Sequence, residues 1–406
     1  MKLIRKILGF DSQYSWMKWL KVSFAAVALI VTLFFWGNFG FLIMEGGLIG
    51  IIIGLVIFVM MFIPIVAIML GVSAIVGGVL SGRKQYKSFK ETAAEGSAEM
   101  MDLEKLRMKS QALDLAFILT IPVLIVAGYF LLSNILDSMY DNFGEKGIEA
   151  AVYGYMILAV GILIVFWIKK APVKARYRKA FKEGVVTKGL ESAFKNMDFR
   201  PNEMLDEAVV KAAALFPHYD IYSGNDYLAA EYNGHQFVQS DVRLQQKREE
   251  TYWDDGELKR RIVYDILFNG RLMVFDYDAV SDEPVAVYDR QGTKPKDTET
   301  VKTELDSFNQ RFYIEAKSPT DALRILTPQV LEGIVLTSDK LGYPIHLSFR
   351  EDKLYVALAC GDAFEAAGGD KTLAEQRRRV MDDINAILYL IDTLYLKNQS
   401  QKGGNK

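Results

Sequence analysis

Four runs of the chain contain no Asp, Glu, Lys, Arg or His: Val22 to Met44, Gly46 to Gly82, Leu115 to Leu136, and Ala150 to Ile168. No other feature restricts the fold as strongly. An apolar helix of roughly 20 residues crosses a bilayer, so transmembrane helices are expected over residues 20–36, 48–80, 113–133 and 151–168. No small-residue cleavage site follows Trp36, and further spans come after it, so the first run reads as a retained helix rather than a signal peptide. Ionisable groups inside a membrane mark ion paths and proton relays. Their absence disfavours a transporter or pore and points to an anchor.

The second run is long for one span. It allows two readings, a pair of spans broken at Pro64 or one kinked helix that emerges beyond the hydrocarbon. Flanking charge decides between them, because Lys/Arg-rich flanks stay in the cytoplasm. "SGRKQYKSFK" follows this run, as "MKLIRK" precedes the first span and "KKAPVKARYRK" follows the last. One span places the N-terminus, the 81–112 loop and residues 172 onward inside, with loops 37–47 and 134–150 outside. The expectation is a multi-pass protein of the cell's inner (plasma) membrane, with four transmembrane helices in residues 1–171 and both termini cytoplasmic.

Small residues recur at spacing four in Gly46, Gly50 and Gly54, and again in Ala74, Gly78 and Gly82. Such spacing lets helix backbones approach closely. It serves either a homo-oligomer contact or packing within one subunit's own bundle.

The basic segment after the last span holds Lys169, Lys170, Lys174, Arg176, Arg178, Lys179 and Lys182. Pro172 is expected to end the span and a new helix to start after it, with Tyr177, Phe181 and Val185 on one stripe. The basic residues are a stop-transfer flank. A surface helix on anionic headgroups is the sharper alternative, each charge contributing on the order of 1 kcal/mol.

Beyond the anchor the texture changes. Residues 1–171 carry 15 Lys/Arg against 12 Asp/Glu, and the remainder 33 against 38. An acidic soluble half without a basic face argues against nucleic acid as partner. A single cysteine, Cys360, excludes an internal disulfide framework, and it reads as a thiol on a buried strand. Residues 172–397 are expected to form a cytosolic α+β domain with antiparallel hairpins and a long C-terminal helix, followed by a disordered tail over 398–406. "RPNEMLDEAVVKAAALF" reads as a helix with Pro201 in its first turn. Asn233-Gly234 and Asn269-Gly270, each between β-rich arms, predict two hairpins, and "FREDKLYV" a third. Ser318-Pro319 and Thr327-Pro328 open two short helices. Val380, Ile384, Ile387, Ile391 and Leu394 line one face of the last helix, for docking on the sheet or as a dimer seam.

Motifs that carry chemistry are sparse. His218, His235 and His346 fall in different elements without metal-ligand spacing, so no metal or other cofactor is expected. His346 takes the outward register of its strand. The densest polar stretch, "FPHYDIYSGND", brings His218, Asp220, Ser223 and Asp226 into one loop. These are candidate acid–base or nucleophilic groups, although Ser, Gly, Asn and Asp are also ordinary turn residues. In "TYWDDGE", Tyr252 and Trp253 sit at an exposed turn and are candidate partner-binding residues, because aromatics dominate binding hot spots.

"ALFPHYDIYSGNDYLAAEYNGHQFVQSDV", "ILFNGRLMVFDYD", "FNQRFYIEAKSPTDALRILTPQVLEGI" and "PIHLSFREDKLYVAL" together resemble a bacterial inner-membrane protein family defined only by a C-terminal domain of unknown function. The resemblance spans about residues 172–396. It implies a cytosolic module behind N-terminal transmembrane helices, and it brings no catalytic residues with it. This chain departs from the family in an extra pair of spans and the 81–112 insertion. The expected function is a membrane-held interaction or sensing scaffold with the lipid bilayer, a cytosolic protein and a further copy of itself as partners. The alternative is a membrane-tethered enzyme using the 216–226 loop.

Overall fold

The computed structural model describes residues 71, 75, 78–79, 81–254, 257–277, 283–292, 300–368 and 371–399. The expected spans 20–36 and most of 48–80 lie outside the described residues, as do Gly46, Gly50, Gly54, Ala74 and the tail from 400. The chain divides into two compact units, Met1–Gly184 with Ala366–Gln376 and Val185–Glu365 with Arg377–Lys406.

In the first unit a helical stretch over 81–94 precedes helix α1, Ala98–Phe181. Ser97 caps α1 by accepting the Met100 N–H at 3.4 Å. Two segments of this region are long and apolar enough to cross a membrane, Ala98–Leu131 and Lys146–Ala193. They cover the expected span 113–133 as far as Leu131 and all of 151–168. The expected loop over 134–150 is helical instead, and the helix breaks at one residue, Gly144, with φ 64° and ψ −154°. That geometry is open to glycine and costly for any residue with a Cβ. Pro172 does not end the helix either. It sits inside α1, where its missing N–H and its ring leave a local defect that a long apolar helix absorbs.

Charges in this unit are paired below the apolar segments. Arg107 and Glu104 are both buried and meet in two hydrogen bonds, 2.5 Å and 2.6 Å. Ser88 donates to Glu104 at 3.0 Å, and Arg107 also donates to the Lys371 carbonyl at 3.0 Å. Lys170 of the basic segment pairs with Asp114. Tyr177 and Phe181 are buried, the former donating to Gln376 Oε1 at 2.8 Å. At Gly78 a Cβ would lie 2.8 Å from Leu115 Cδ2, so this glycine serves packing within the chain, whereas nothing lies within 4 Å of a Cβ at Gly82.

The second unit follows a π-helical turn, Lys182–Thr187, and helix α2, Lys188–Ala193. Its centre is a nine-stranded sheet: β1 Lys195–Arg200, β2 Ile221–Tyr232, β3 His235–Asp254, β4 Glu257–Asp276, β5 Val285–Asp289, β6 Thr300–Val301, β7 Phe312–Ala316, β8 Ile345–Arg350 and β9 Lys353–Leu358. The order is β1-β2-β3-β4-β9-β8-β5-β7-β6, and every pair is antiparallel. One face holds Leu205, Val242, Leu244, Phe268, Leu272, Tyr288 and Tyr355 in a common core. Helix α3, Glu207–Ala212, supplies Val210 to that core. The expected helix start at Pro201 is wrong: Pro201 lies in a turn, and Asp206 caps α3 by accepting the Ala208 N–H at 2.7 Å.

Helices α4, Asp306–Arg311, α5, Pro319–Ile325, and α6, Pro328–Leu341, follow in order. Ser318 and Thr327 take the N-cap positions ahead of the two first-turn prolines, as expected. The last helix, α7, runs Leu373–Gln399. Val380, Ile384, Ile387, Ile391 and Leu394 are all buried within the single chain, which is the docking role and not the dimer seam.

Two of the three expected hairpins are present. Asn233 and Gly234 have φ of 50° and 81°, the twist of a type I′ turn between β2 and β3. Glu351 and Asp352, φ 50° and 55°, turn β8 into β9 in the same way. Asn269-Gly270 is not a turn. Both residues lie inside β4, with Gly270 opposite Val242 of β3. A Cβ at Gly270 would collide with the Leu358 carbonyl oxygen and sit 2.9 Å from Ala359 Cα. The glycine is there because neighbouring backbone passes too close for any side chain.

Candidate functional site

The consequence of an uninterrupted β4 is a long arm. Beyond a bulge at Leu244/Gln245, β3 and β4 run in register from Gln245↔Ile266 to Asp254↔Glu257. Among the described residues, Arg248–Asp254 and the strand facing it pair only with each other. The arm has two unlike faces, because side chains alternate along each strand. One face is charged and internally paired: Arg261 donates to Glu250 at 2.7 Å, Arg248 to Asp265 at 2.8 Å, and the Arg261 guanidinium lies 5.2 Å from the Tyr252 ring centre. The other face brings together Trp253, Leu258, Ile262, Tyr264 and Ile266, each at least half exposed and Trp253 at 75%. Glu249, Arg260 and Lys247 share that face and form no ion pair among the described residues.

The sequence reading found the tip of this arm, Tyr252 and Trp253, and put the two aromatics together. The structure separates them. Tyr252 belongs to the charged face, and Trp253 stacks in register with Leu258 on the apolar one. The period-two pattern of Ile262, Tyr264 and Ile266 was the signal for the rest.

A polar assembly lies where β2 and β3 meet the segment after β9, with Asp226 and Asp241 buried and Asp362 exposed. Carboxylate oxygens of Asp226, Asp241 and Asp362 lie within 4.8 Å of one another. Asp226 sits at a bulge of β2 with φ 57°. Asn225 Nδ2 donates to Asp226 at 3.1 Å, Asp362 at 3.3 Å and Glu365 at 3.4 Å. Asp241 accepts the Ala363 N–H at 2.6 Å and the Arg271 Nε–H at 3.4 Å, and the guanidinium lies 4.6 Å from the Phe364 ring centre. Burial pushes the Asp241 carboxyl up to about 6, against the pull of Arg271 and the Ala363 N–H. Burial likewise raises Asp383 and the Cys360 thiol. The three aspartates are the described group whose oxygens could surround a cation. Arg271 and Asn225 already point N–H donors at these oxygens, so the cluster is a packed ion-pair network. Of its members the sequence reading singled out only Asp226, as a loop residue. Arg271 carried a signal too, as the one charged residue between Ile266 and Phe275 of β4.

The other candidates disperse. His218 is exposed on the surface and reaches Asp220 at 3.7 Å, and Asp220 accepts the Lys247 N–H at 2.7 Å. Ser223 and Asp226 are strand residues of β2, not loop residues. At about 3.3 Å per residue, Asp226 lies on the order of 20 Å along the strand from Asp220. His346 is not outward: both faces of β8 are buried. Its Nδ1 accepts the Asp289 N–H at 3.2 Å, and burial pushes its pKa down to about 4. Cys360 follows β9 instead of lying in a buried strand. In the basic segment Lys169, Arg176, Arg178 and Lys179 are exposed, while Lys170, Lys174 and Lys182 are half-buried.

An aliphatic groove of about 700 Å³ is formed by α5, α6 and residues 302–307, with Lys302, Glu304 and Glu332 at its rim. It holds no histidine or cysteine to activate a nucleophile.

Residues 266–396 match the model of a family described as "Protein of unknown function (DUF3137)". The match begins at Ile266, where the arm joins the sheet. Among solved structures, the chain is similar to the crystal structure of the mycobacterial trehalose monomycolate transport factor A, TtfA, at 7% identity and a TM-score of 0.29. That alignment covers 53% of this chain and 97% of the other, and a score this low carries no argument. No curated protein matches. The C-terminal part of the chain, residues 266–396, is a DUF3137 domain.

Proposed function

We propose that this chain is a multi-pass membrane scaffold that presents its α+β unit in the cytosol as a protein-interaction module, with the β3–β4 arm as the contact element. The arm carries the reading: it exposes a row of large apolar side chains on one face while pairing its charges on the other. Contiguous apolar surface on a soluble domain marks an interaction site. Membrane placement is supported by Ala98–Leu131 and Lys146–Ala193, whose exposed Ile121, Val123, Phe130, Ile157, Leu158 and Trp167 suit a lipid surrounding. The Lys/Arg-rich flanks support cytoplasmic termini, and a bacterial inner membrane is what the family resemblance implies.

Capture from detergent-solubilised native membranes tests this. The full-length protein retains a stoichiometric protein partner, and Ile262→Glu (I262E) releases it. Equal retention by the two, or a turnover activity lost on substituting His218 without unfolding, would overturn the reading in favour of the tethered enzyme.

A further inference from the structure

We propose that the apolar face of the β3–β4 arm docks on the same face of a second copy of this chain. The inference rests on the interaction-module reading and names its partner. A two-stranded ribbon is marginally stable alone in water, and this one leaves Trp253, Leu258, Ile262, Tyr264 and Ile266 uncovered. The charges on that face indicate what covers them. Glu249 lies opposite Ile262 and Arg260 opposite Thr251, in adjacent rows on different strands. Stack two arms face to face about a two-fold axis along the ribbon, and β3 of each copy lies over β4 of the other. Trp253 then covers Leu258 of the second copy, and Glu249 stands one row from its Arg260. Each copy supplies one acid and one base, so the contact forms twice. The surface is self-complementary in both shape and charge, as an isologous interface requires.

The five side chains offer on the order of 500 Å² per copy, below the roughly 800 Å² of a standard interface. The arm alone therefore gives a weak contact. Confinement of both copies to one membrane raises their effective concentration, which makes a weak contact sufficient.

The test uses full-length protein reconstituted in lipid vesicles, with donor or acceptor fluorophores on C-terminal tags and energy transfer as the readout. Wild-type copies associate in a density-dependent manner, and I262E abolishes the signal. Glu249→Arg (E249R) alone and Arg260→Glu (R260E) alone each weaken association about tenfold. Mixing the two single variants restores it, because each mixed pair regains two opposite-charge contacts. An acid–base pair inside one chain would give no such rescue. Three results overturn the inference: no association of the wild type, association unchanged by I262E, or absence of rescue in the mixture. Arm-dependent binding to phosphatidylglycerol vesicles without self-association would assign the face to lipid. A different protein captured through the arm would leave the module reading standing and remove this one.

Discussion

Asp241 and Arg271 face each other across β3 and β4, directly in register, with Oδ1 and Nε 3.4 Å apart and both side chains almost wholly buried. Taking one partner from a buried pair strands the other charge, which costs about 3–5 kcal/mol. At neutral pH, Asp241→Asn (D241N) and Arg271→Met (R271M) each lower stability by about that amount, and the double variant loses clearly less than their sum. Denaturant midpoints of the four proteins measure the coupling. Strict additivity would show that the two side chains do not act as a pair.

Asp241 and His346 oppose each other in their pH dependence. Burial raises the Asp241 pKa to about 6, so the folded state holds its proton more tightly than the unfolded chain, and the stability tied to it is lost as pH rises from about 4 to about 6. Burial lowers the His346 pKa to about 4. The stability tied to that group is present above the unfolded value and is lost as pH falls from about 6.5 to about 4. Each contribution is about 3 kcal/mol, with opposite sign over nearly the same window. D241N therefore becomes more stable, and His346→Gln less stable, as pH rises from 4 to 6. Melting temperatures across that range decide the matter, and parallel slopes in the two variants would contradict the burial assigned to one of them.

Two glycines separate the two meanings of an Asn-Gly pair. Gly234→Ala strains a turn at φ 81° and costs about 1–2 kcal/mol. Gly270→Ala drives a Cβ into the Leu358 carbonyl and costs about 3 kcal/mol or more, the overpacking penalty. A thermal melt of the two variants ranks them. The reverse ranking would mean that Asn269-Gly270 is a turn after all.

His218→Ala leaves stability within about 0.5 kcal/mol, as an exposed substitution does. Asp226→Ala disturbs the buried network around Asn225 and Asp241 and costs more than 1 kcal/mol. Circular dichroism melts distinguish the two, and comparable losses would place His218 in the core.

Helices, caps and two hairpins were legible because local rules determine them: Ser318 before Pro319, Asn233 before Gly234, the four-three spacing of Val380 to Leu394. The arm was hidden by one ambiguity. A glycine serves either a positive φ or a close backbone approach, and the sequence around Asn269-Gly270 does not say which. His346 was misplaced because alternation marks an outward residue only when one face of the sheet meets solvent, and β8 is covered on both. The Asp241 cluster was invisible as a set. Asp226, Asp241, Arg271 and Asp362 come from four separate segments, and only strand pairing assembles them. The span ends were blurred too, since nothing in 134–150 except Gly144 stops a helix.

The outer strands of the sheet bear on how this protein can go wrong. At one edge β6 offers two residues, and at the other β1 presents exposed Lys195, Asp198 and Arg200. Short or charged margins of this kind discourage a stray strand from adding on. The arm is the long exposed margin, because its peptide groups from Arg248 outward lack a strand on either flank among the described residues. The charges that guard it on one face are already paired within the arm, Arg248 with Asp265 and Arg261 with Glu250. An overproduced chain would therefore polymerise there first, ribbon adding sideways to ribbon, while the sheet stays intact. The stretch that lets two copies recognise each other face to face would, edge to edge, let any number join.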